Sequence, residues 1–349
     1  MKSTSNAVFA LPGKIEPLQT LRFLGALSVA IYHFGALTGD CPFDFSHAVY
    51  LFYMISGFVV MLSTREPEKK KYFLTRRLIK TLPLYWGLTA ATFIAGQFFP
   101  AIVGYRPTAV QLVKSLFFIP FDRPTARATT AIRPIVGLGH TLQMEMLFYL
   151  LFLAAIRINH KYRGYIAAGL CAAVALTGVF FPTENPVIHF YTANPYVWTS
   201  FVAGMAIYGL FKLIQNKKPP FRAHKAVAVA AVIAAVAAAA PVFIVKTSVW
   251  YDIFMLAVVL AAGLTWSACG LKSPRFAVNA GNISYSFYLI HYYIRTLGVR
   301  LFDINTPSVR NVLLAAAVCA VAWGVSWVSW YLIENKLSGF LKKRVIRGA

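Results

Sequence analysis

Apolar stretches of membrane-crossing length recur along this chain from one end to the other, separated by short polar connections. A hydrocarbon layer about 30 Å thick is crossed by about 20 apolar helical residues. On that scale the pattern predicts about ten spanning helices, near 18–38, 46–63, 82–100, 140–157, 164–181, 196–214, 225–245, 250–269, 283–301 and 310–333. The expected fold is all-α, a polytopic membrane bundle in which residues 1–349 form a single domain. The first stretch follows a short tail with no small-residue cleavage site, so it reads as an anchor that stays. Neither an internal repeat nor the inverted-repeat hydropathy of transporters is visible.

Composition agrees, since 58% of the residues are hydrophobic and only 13% charged. The formal charge of +23 sits in short clusters between the apolar runs. That placement points to membrane topology and contact with anionic lipids, not to nucleic acid. Residues 64–81 hold Arg65, Lys69, Lys70, Lys71, Arg76, Arg77 and Lys80, and the loops near 157–163, 212–225 and 271–275 are also basic, as is the tail "KKRVIRGA". All five fall on one side, which the positive-inside rule makes cytoplasmic, with both termini inside and the chain multi-pass in the inner (cytoplasmic) membrane. The opposite side holds Asp40, Asp44 and Glu184 in nearly uncharged loops. One outer loop departs from this: 101–139 carries Arg106, Lys114, Arg123, Arg127 and Arg133 against Asp122. Either translocation tolerates these charges or they form a basic surface for an anionic acceptor or lipid head group. Its "VKSLFFIP" is too short to span and reads as interfacial or re-entrant. The four cysteines have neither metal-ligand nor disulfide spacing, and no metal is expected.

Ionisable groups inside a bilayer are costly and mark function by default. In "LQTLRFLGALSVAIYHFGALTG", Arg22 and His33 lie eleven residues apart, on nearly one helix face and about 16 Å apart along the axis. Snorkelling accounts for Arg22 but not for the deeper His33. In "GHTLQMEMLFY", Thr141, Glu145 and Tyr149 share a face. Glu145 enters from the outer side to a depth similar to that of His33, which suggests a His–carboxylate pair holding the imidazole as a base. In the ninth helix Ser284, Tyr288, His291 and Arg295 form a polar stripe that either lines a cavity or joins helices. The run "KKKYFLTRRLIKTLPLYW" places cations just ahead of a helix that Pro83 helps to start. Topology explains such a cluster, yet Arg76, Arg77 and Lys80 also suit a phosphorylated cofactor.

Six segments in order resemble the acyltransferase 3 family of bacterial integral-membrane O-acyltransferases, in its stand-alone exopolysaccharide or O-antigen type. They are "LQTLRFLGALSVAIYH", "LFYMISGFVV", "FLTRRLIKTLPLYW", "GHTLQMEMLFYLLF", "GNISYSFYLIH" and "LIENKL". Departures are Gln19 where the family often has Asp, His140 where it has Trp, and Asn335-Lys336 in place of a Pro after Glu334. The resemblance implies an acyl-coenzyme A donor, usually acetyl-CoA, approached from the cytoplasm, and a hydroxyl of a cell-surface or lipid-linked carbohydrate as acceptor. Carried onto this chain, it implies phosphates held by Arg76, Arg77 and Lys80 with Arg22 at the inner mouth. His33 would act as general base or transient acyl carrier, with Glu145 orienting it. Ser56 and Tyr288 are candidates for stabilising an oxyanion, and His291 for lining the pocket. A transporter or flippase using the same charges stays open from the residues alone, as does a transferase using another donor such as succinyl-CoA.

Overall fold

The computed structural model describes residues 15–35, 45–124, 130–216, 224–239, 248–304, 306 and 308–346. The expected sites Asp40, Cys41, Asp44 and Arg127 lie outside them. The described chain is helical apart from connections and one antiparallel hairpin, Asp122–Pro124 with Thr130–Ile132. Its helices are α1 (Glu16–Gly35), α2 (Val49–Ser63), α3 (Phe73–Phe98), α4 (Pro100–Val103), α5 (Ala109–Leu116), α6 (His140–Ile158) and α7 (Arg163–Phe180). There follow α8 (Pro186–Thr192), α9 (Pro195–Asn216), α10 (His224–Ala239), α11 (Val249–Ala268), α12 (Arg275–Phe302), α13 (Val309–Ser329) and α14 (Ser338–Ile346). The π-helical segment Trp330–Leu337 joins α13 to α14 without a break.

Among the described residues, seven helices are long and apolar enough to cross a membrane. They are the helices of α2, α3, α6, α7, α9 and α11 and the continuous run Val309–Ile346. The other three expected spans coincide with α1, α10 and α12. Polar side chains dilute the hydropathy of α1 and α12, and 16 residues of α10 are described. Large apolar side chains such as Phe98, Phe180, Ile233 and Leu313 point outward, as suits a surface solvated by lipid tails.

Pro83 does not start a helix; it lies inside α3, which begins ten residues earlier at Phe73. Arg76, Arg77 and Lys80 therefore ride on the first turns of a helix, not on a loop before one. An internal proline strips the carbonyl four residues back of its partner. Here that carbonyl is Ile79 O, and Ser338 Oγ of α14 donates to it at 2.9 Å. The Tyr285 hydroxyl donates to Thr81 O at 2.8 Å in the same turn. Tertiary partners thus replace the missing bond, so α3 continues through its proline.

The segment expected to be re-entrant is α5, capped by a reciprocal Thr108–Gln111 box. It is pinned through Ser115, whose Oγ accepts from Ile135 N at 3.0 Å and whose carbonyl accepts from the Tyr85 hydroxyl at 3.0 Å. Cations of the outer loop are used locally. Arg123 donates to Pro134 O and Ile135 O and lies 5.2 Å over the Tyr105 ring, while burial raises the Tyr105 hydroxyl above its ordinary pKa.

The bundle closes by packing α1 on α12, α2 on α9 and α12 on α13. Without water to drive association, membrane helices gain from close backbone approach at small residues. On the α2–α9 pair this is reciprocal: a Cβ on Gly57 would meet Phe201 O at 2.2 Å, and one on Gly204 would meet Met54 O at 1.9 Å. Beside them Phe148 stacks on Phe201 with centroids 3.9 Å apart. We predict that Gly204→Ala lowers the thermal midpoint of detergent-solubilised protein, at an overpacking cost of about 1–3 kcal/mol or more. Gly209→Ala, where a Cβ meets nothing within 4 Å, should leave the midpoint unchanged or slightly raised.

Candidate active site

Six elements enclose a cavity of about 490 Å³. α1 contributes Gln19 and Arg22, and α2 contributes Val49, Phe52, Tyr53 and Ser56. Arg76, Arg77 and Lys80 come from α3, and Thr141, Glu145 and Tyr149 from α6. Asn282, Ser284, Tyr285 and Tyr288 of α12 form another wall. The terminal helix supplies Trp330, Glu334, Ser338 and Lys342. Glu334 sits in the π-helical segment, the kind of local widening often found at functional sites. Its 38-residue helix is about 57 Å long at 1.5 Å per residue, well beyond the hydrocarbon thickness. Lys342 thereby joins Arg76 among the residues that line the cavity.

Charge in the cavity is arranged unevenly. Both the Ser56 hydroxyl and the Tyr149 hydroxyl donate to Glu145 Oε1, the latter at 2.5 Å. Ser286 donates to Glu334 Oε1 through its hydroxyl at 2.6 Å and its backbone N–H at 3.2 Å. Arg77 donates to Ser63 Oγ at 3.0 Å and lies 5.4 Å over the Tyr149 ring. Arg22 and Lys80 feel both carboxylates and each other electrostatically. Arg22 lines this cavity, so α1 carries it for compensation inside the bundle. Among the lining residues cations outnumber carboxylates five to two. The excess gives a positive field in a low-dielectric cleft, which suits an anionic ligand.

His33 and His291 lie outside the cavity lining. Their rings pack together with centroids 5.4 Å apart, and Arg295 Nε donates to His33 O at 2.7 Å. The charges acting on His33 come from His291, Arg295, Arg133 and His140, all basic. The structure therefore does not bring His33 to Glu145. Equal depth on two helices left their lateral positions undetermined, and the Glu145 carboxylate is engaged by hydroxyls of α2 and α6 instead. His291 is fully buried, and its Nδ1 meets Phe287 O at 2.9 Å. A carbonyl only accepts, so Nδ1 carries the proton and Nε2 is left an acceptor. That Nε2 has no hydrogen-bond partner among the described residues. Tyr288 connects the two regions: it lines the cavity, packs on Phe52 at 5.7 Å, and its ring centroid is 6.2 Å from that of His291.

The four residues of the α12 stripe thus divide, Ser284 and Tyr288 facing the cavity while His291 and Arg295 meet α1. Of the sequence-derived candidates, Arg22, Ser56, Arg76, Arg77, Lys80, Glu145 and Tyr288 meet in one cavity, and His33 with His291 sits behind Tyr288. Glu334 and Lys342 join the cavity without having been singled out. An acid ending a long apolar run, in a chain with 11 acids, was the signal for Glu334. Nothing in the sequence distinguished Lys342 from its basic neighbours.

Removing one partner of a buried charge cluster costs about 3–5 kcal/mol. Glu145→Ala should therefore lower the thermal midpoint strongly, because it strands Arg22 and two hydroxyls. Glu145→Gln, which keeps a hydrogen-bonding group, should lower it less, and Tyr149→Phe, which removes one donor, by about 1 kcal/mol. Unfolding curves of the three variants in one detergent check this order.

The relationships of the chain agree with this geometry. A family model described as an acyltransferase domain matches residues 16–331. The "Exopolysaccharide production protein ExoZ" of Rhizobium meliloti (strain 1021) is 31% identical over 195 residues, which is 54% of this chain and 58% of that protein. The alignment thus spans little more than half the relative's length. No solved structure matches. With the family model covering every element of the cavity up to Trp330, the chain belongs to the acyltransferase 3 family.

Proposed function

We propose that this membrane protein transfers an acetyl group from acetyl-CoA to a hydroxyl of an exopolysaccharide or its lipid-linked precursor. The observation that carries this reading is the polarity of the cavity. Arg77 is held by Ser63 near one end of α2, while toward the other end of α2 Tyr288 packs on Phe52 and lies next to His291. The name of the relative supports a polysaccharide acceptor.

In this reading the basic segments 64–81 and 271–275 are cytoplasmic, and an even number of spans, ten, has both termini on that side. Arg76, Arg77, Lys80 and Lys342 hold the phosphates of the donor, the arginines through paired N–H donors. The donor supplies an activated thioester carbonyl. Arg22, balanced by Glu145 and Glu334, keeps the inner mouth positive without leaving a bare charge in the bilayer. Tyr288 presents its hydroxyl toward the carbonyl oxygen, whereas the one Ser56 proton is given to Glu145. His33, whose ring partner is His291, takes the proton of the acceptor hydroxyl as that oxygen attacks the thioester carbonyl; the C–S bond then breaks and the CoA thiolate leaves with that proton, Glu145 acting on the donor side. Arg295 fixes the position of His33 by holding its backbone carbonyl.

In membrane vesicles supplied with labelled acetyl-CoA, the wild type should move label into polysaccharide. His33→Ala should lower the rate by about 100-fold or more, the size of a lost general base. Arg76→Ala and Arg77→Ala should each raise KM for acetyl-CoA by about 10-fold or more, as loss of a charge-assisted contact does. Full transfer by His33→Ala would remove that residue from the mechanism. Counter-flow of substrate with no loss of thioester would make the protein a transporter, and the mass of the product distinguishes acetyl from succinyl.

A further inference from the structure

At the end of α2 remote from Arg77 lies a second polar cluster. His47, in the turn Ser46–Ala48 that leads into α2, places its Nδ1 against Asp252 Oδ2 of α11. Asp252 is fully buried although it belongs to an apolar spanning helix. The helix N-terminus, capped by Ser248, favours a carboxylate there. Pairing with a carboxylate puts the imidazole proton on Nδ1 and leaves Nε2 an acceptor. The His47 side chain remains 25% exposed, so the ring is partly accessible to a ligand.

Around the pair are an amide and three rings. Tyr50 packs against His47 with centroids 5.7 Å apart and is hydrogen-bonded to Asn194. The Asn194 Oδ1 is buried with no partner among the described residues. Tyr196 meets Trp250 edge-to-face at 4.8 Å. Interfacial aromatic belts account for an exposed ring such as Trp250. They do not account for a buried aspartate, an orphaned amide oxygen and a half-open imidazole in one place.

We propose that His47, Asp252, Tyr50 and Asn194, with Tyr196 and Trp250, form a binding subsite for a neutral saccharide, the acceptor of the transfer proposed above. The chemistry fits that class. An imidazole and an amide offer donors and acceptors matched to sugar hydroxyls, and rings offer flat apolar area for a pyranose face. The cluster holds one carboxylate against one histidine and lacks the cation excess of the donor end, so it does not select a polyanion. Its position fits as well. Val49 and Tyr53 line the cavity, and Tyr53 lies 6.4 Å from Tyr50, ring to ring. Along α2 the rise from Val49 to Ser63, the residue that holds Arg77, is about 21 Å. Donor phosphates and acceptor sugar would thus approach one cavity from opposite ends.

The test uses the full chain in nanodiscs, acetyl-CoA, and oligosaccharides cut from the host's exopolysaccharide and freed of esters by mild alkali. Asp252→Asn and His47→Gln should raise KM for the oligosaccharide by about 10-fold or more, as loss of a hydrogen bond to a charged group does. The kcat should stay within about 3-fold and KM for acetyl-CoA should not move. An unchanged acceptor KM, or a fall in kcat alone, overturns the subsite. Titration calorimetry with the same oligosaccharides separates this from the function itself. A wild type that binds them and loses binding in the variants, yet transfers nothing, upholds the subsite and sinks the acyltransferase reading. If Asp252→Asn does not fold, Trp250→Ala, whose ring is half exposed, carries the measurement with the same outcomes.

Discussion

Charge inside a bilayer has to be answered by other charge or by hydrogen bonds from the protein, because no water is there to do it. Arg22 of α1 and Arg77 and Lys80 of α3 meet this constraint by converging on Glu145 of α6 and Glu334 of the terminal helix. Each carboxylate is in turn held by hydroxyls, Glu145 by Ser56 and Tyr149, Glu334 by Ser286. The bundle can contain an aqueous cleft at all only because these groups find one another. Compensation is deliberately incomplete in its arithmetic: the cations exceed the carboxylates, so the cleft keeps a net field for an anion.

The same requirement shapes the backbone. Pro83 frees a carbonyl within α3, and Ser338 from the far end of the chain satisfies it. The terminal helix widens to a π-helical turn where Glu334 must turn inward. These two irregularities sit on the cavity wall and join α3 to the last helix. The joint ties the helix of Arg76, Arg77 and Lys80 to that of Lys342, so the basic lining of the cavity and helix packing depend on one contact.

The separation of the histidines from the carboxylates has a chemical consequence. His33 and His291 lie among basic groups, with Tyr288 between them and the cavity. Among the described residues neither ring has a carboxylate hydrogen-bonded to it, so the pair is not one half of a His–carboxylate dyad. The cation-rich cavity and the histidine pair thus occupy adjacent regions of one bundle, with Tyr288 next to both. At the opposite end of α2 from Ser63, His47 does have such a partner in the buried carboxylate of Asp252.

How much of this was legible in the sequence follows from which forces are local. Apolar length determined where helices run, since the solvent imposes it residue by residue, and the helices lie close to where that length puts them. Helical period determined that Thr141, Glu145 and Tyr149 share a face and that Ser284, Tyr288, His291 and Arg295 form a stripe. Cost alone marked Arg22, His33 and Glu145 as residues kept for a reason. Which helix faces which was not legible, because lateral packing depends on glycine contacts such as Gly204 on Met54 and Gly281 on Gln19, between residues far apart in the chain. Hence the partner of His33 is His291 and not Glu145, Pro83 lies within a helix rather than at its start, and Lys342 joins the lining of a cavity built mostly from the first half of the chain. The sequence by itself determined that Arg22, His33 and Glu145 are costly and which helix face each occupies; only the tertiary structure decided their neighbours and added Glu334 and Asp252 to them, because pairing energy depends on distance between segments that no local pattern encodes.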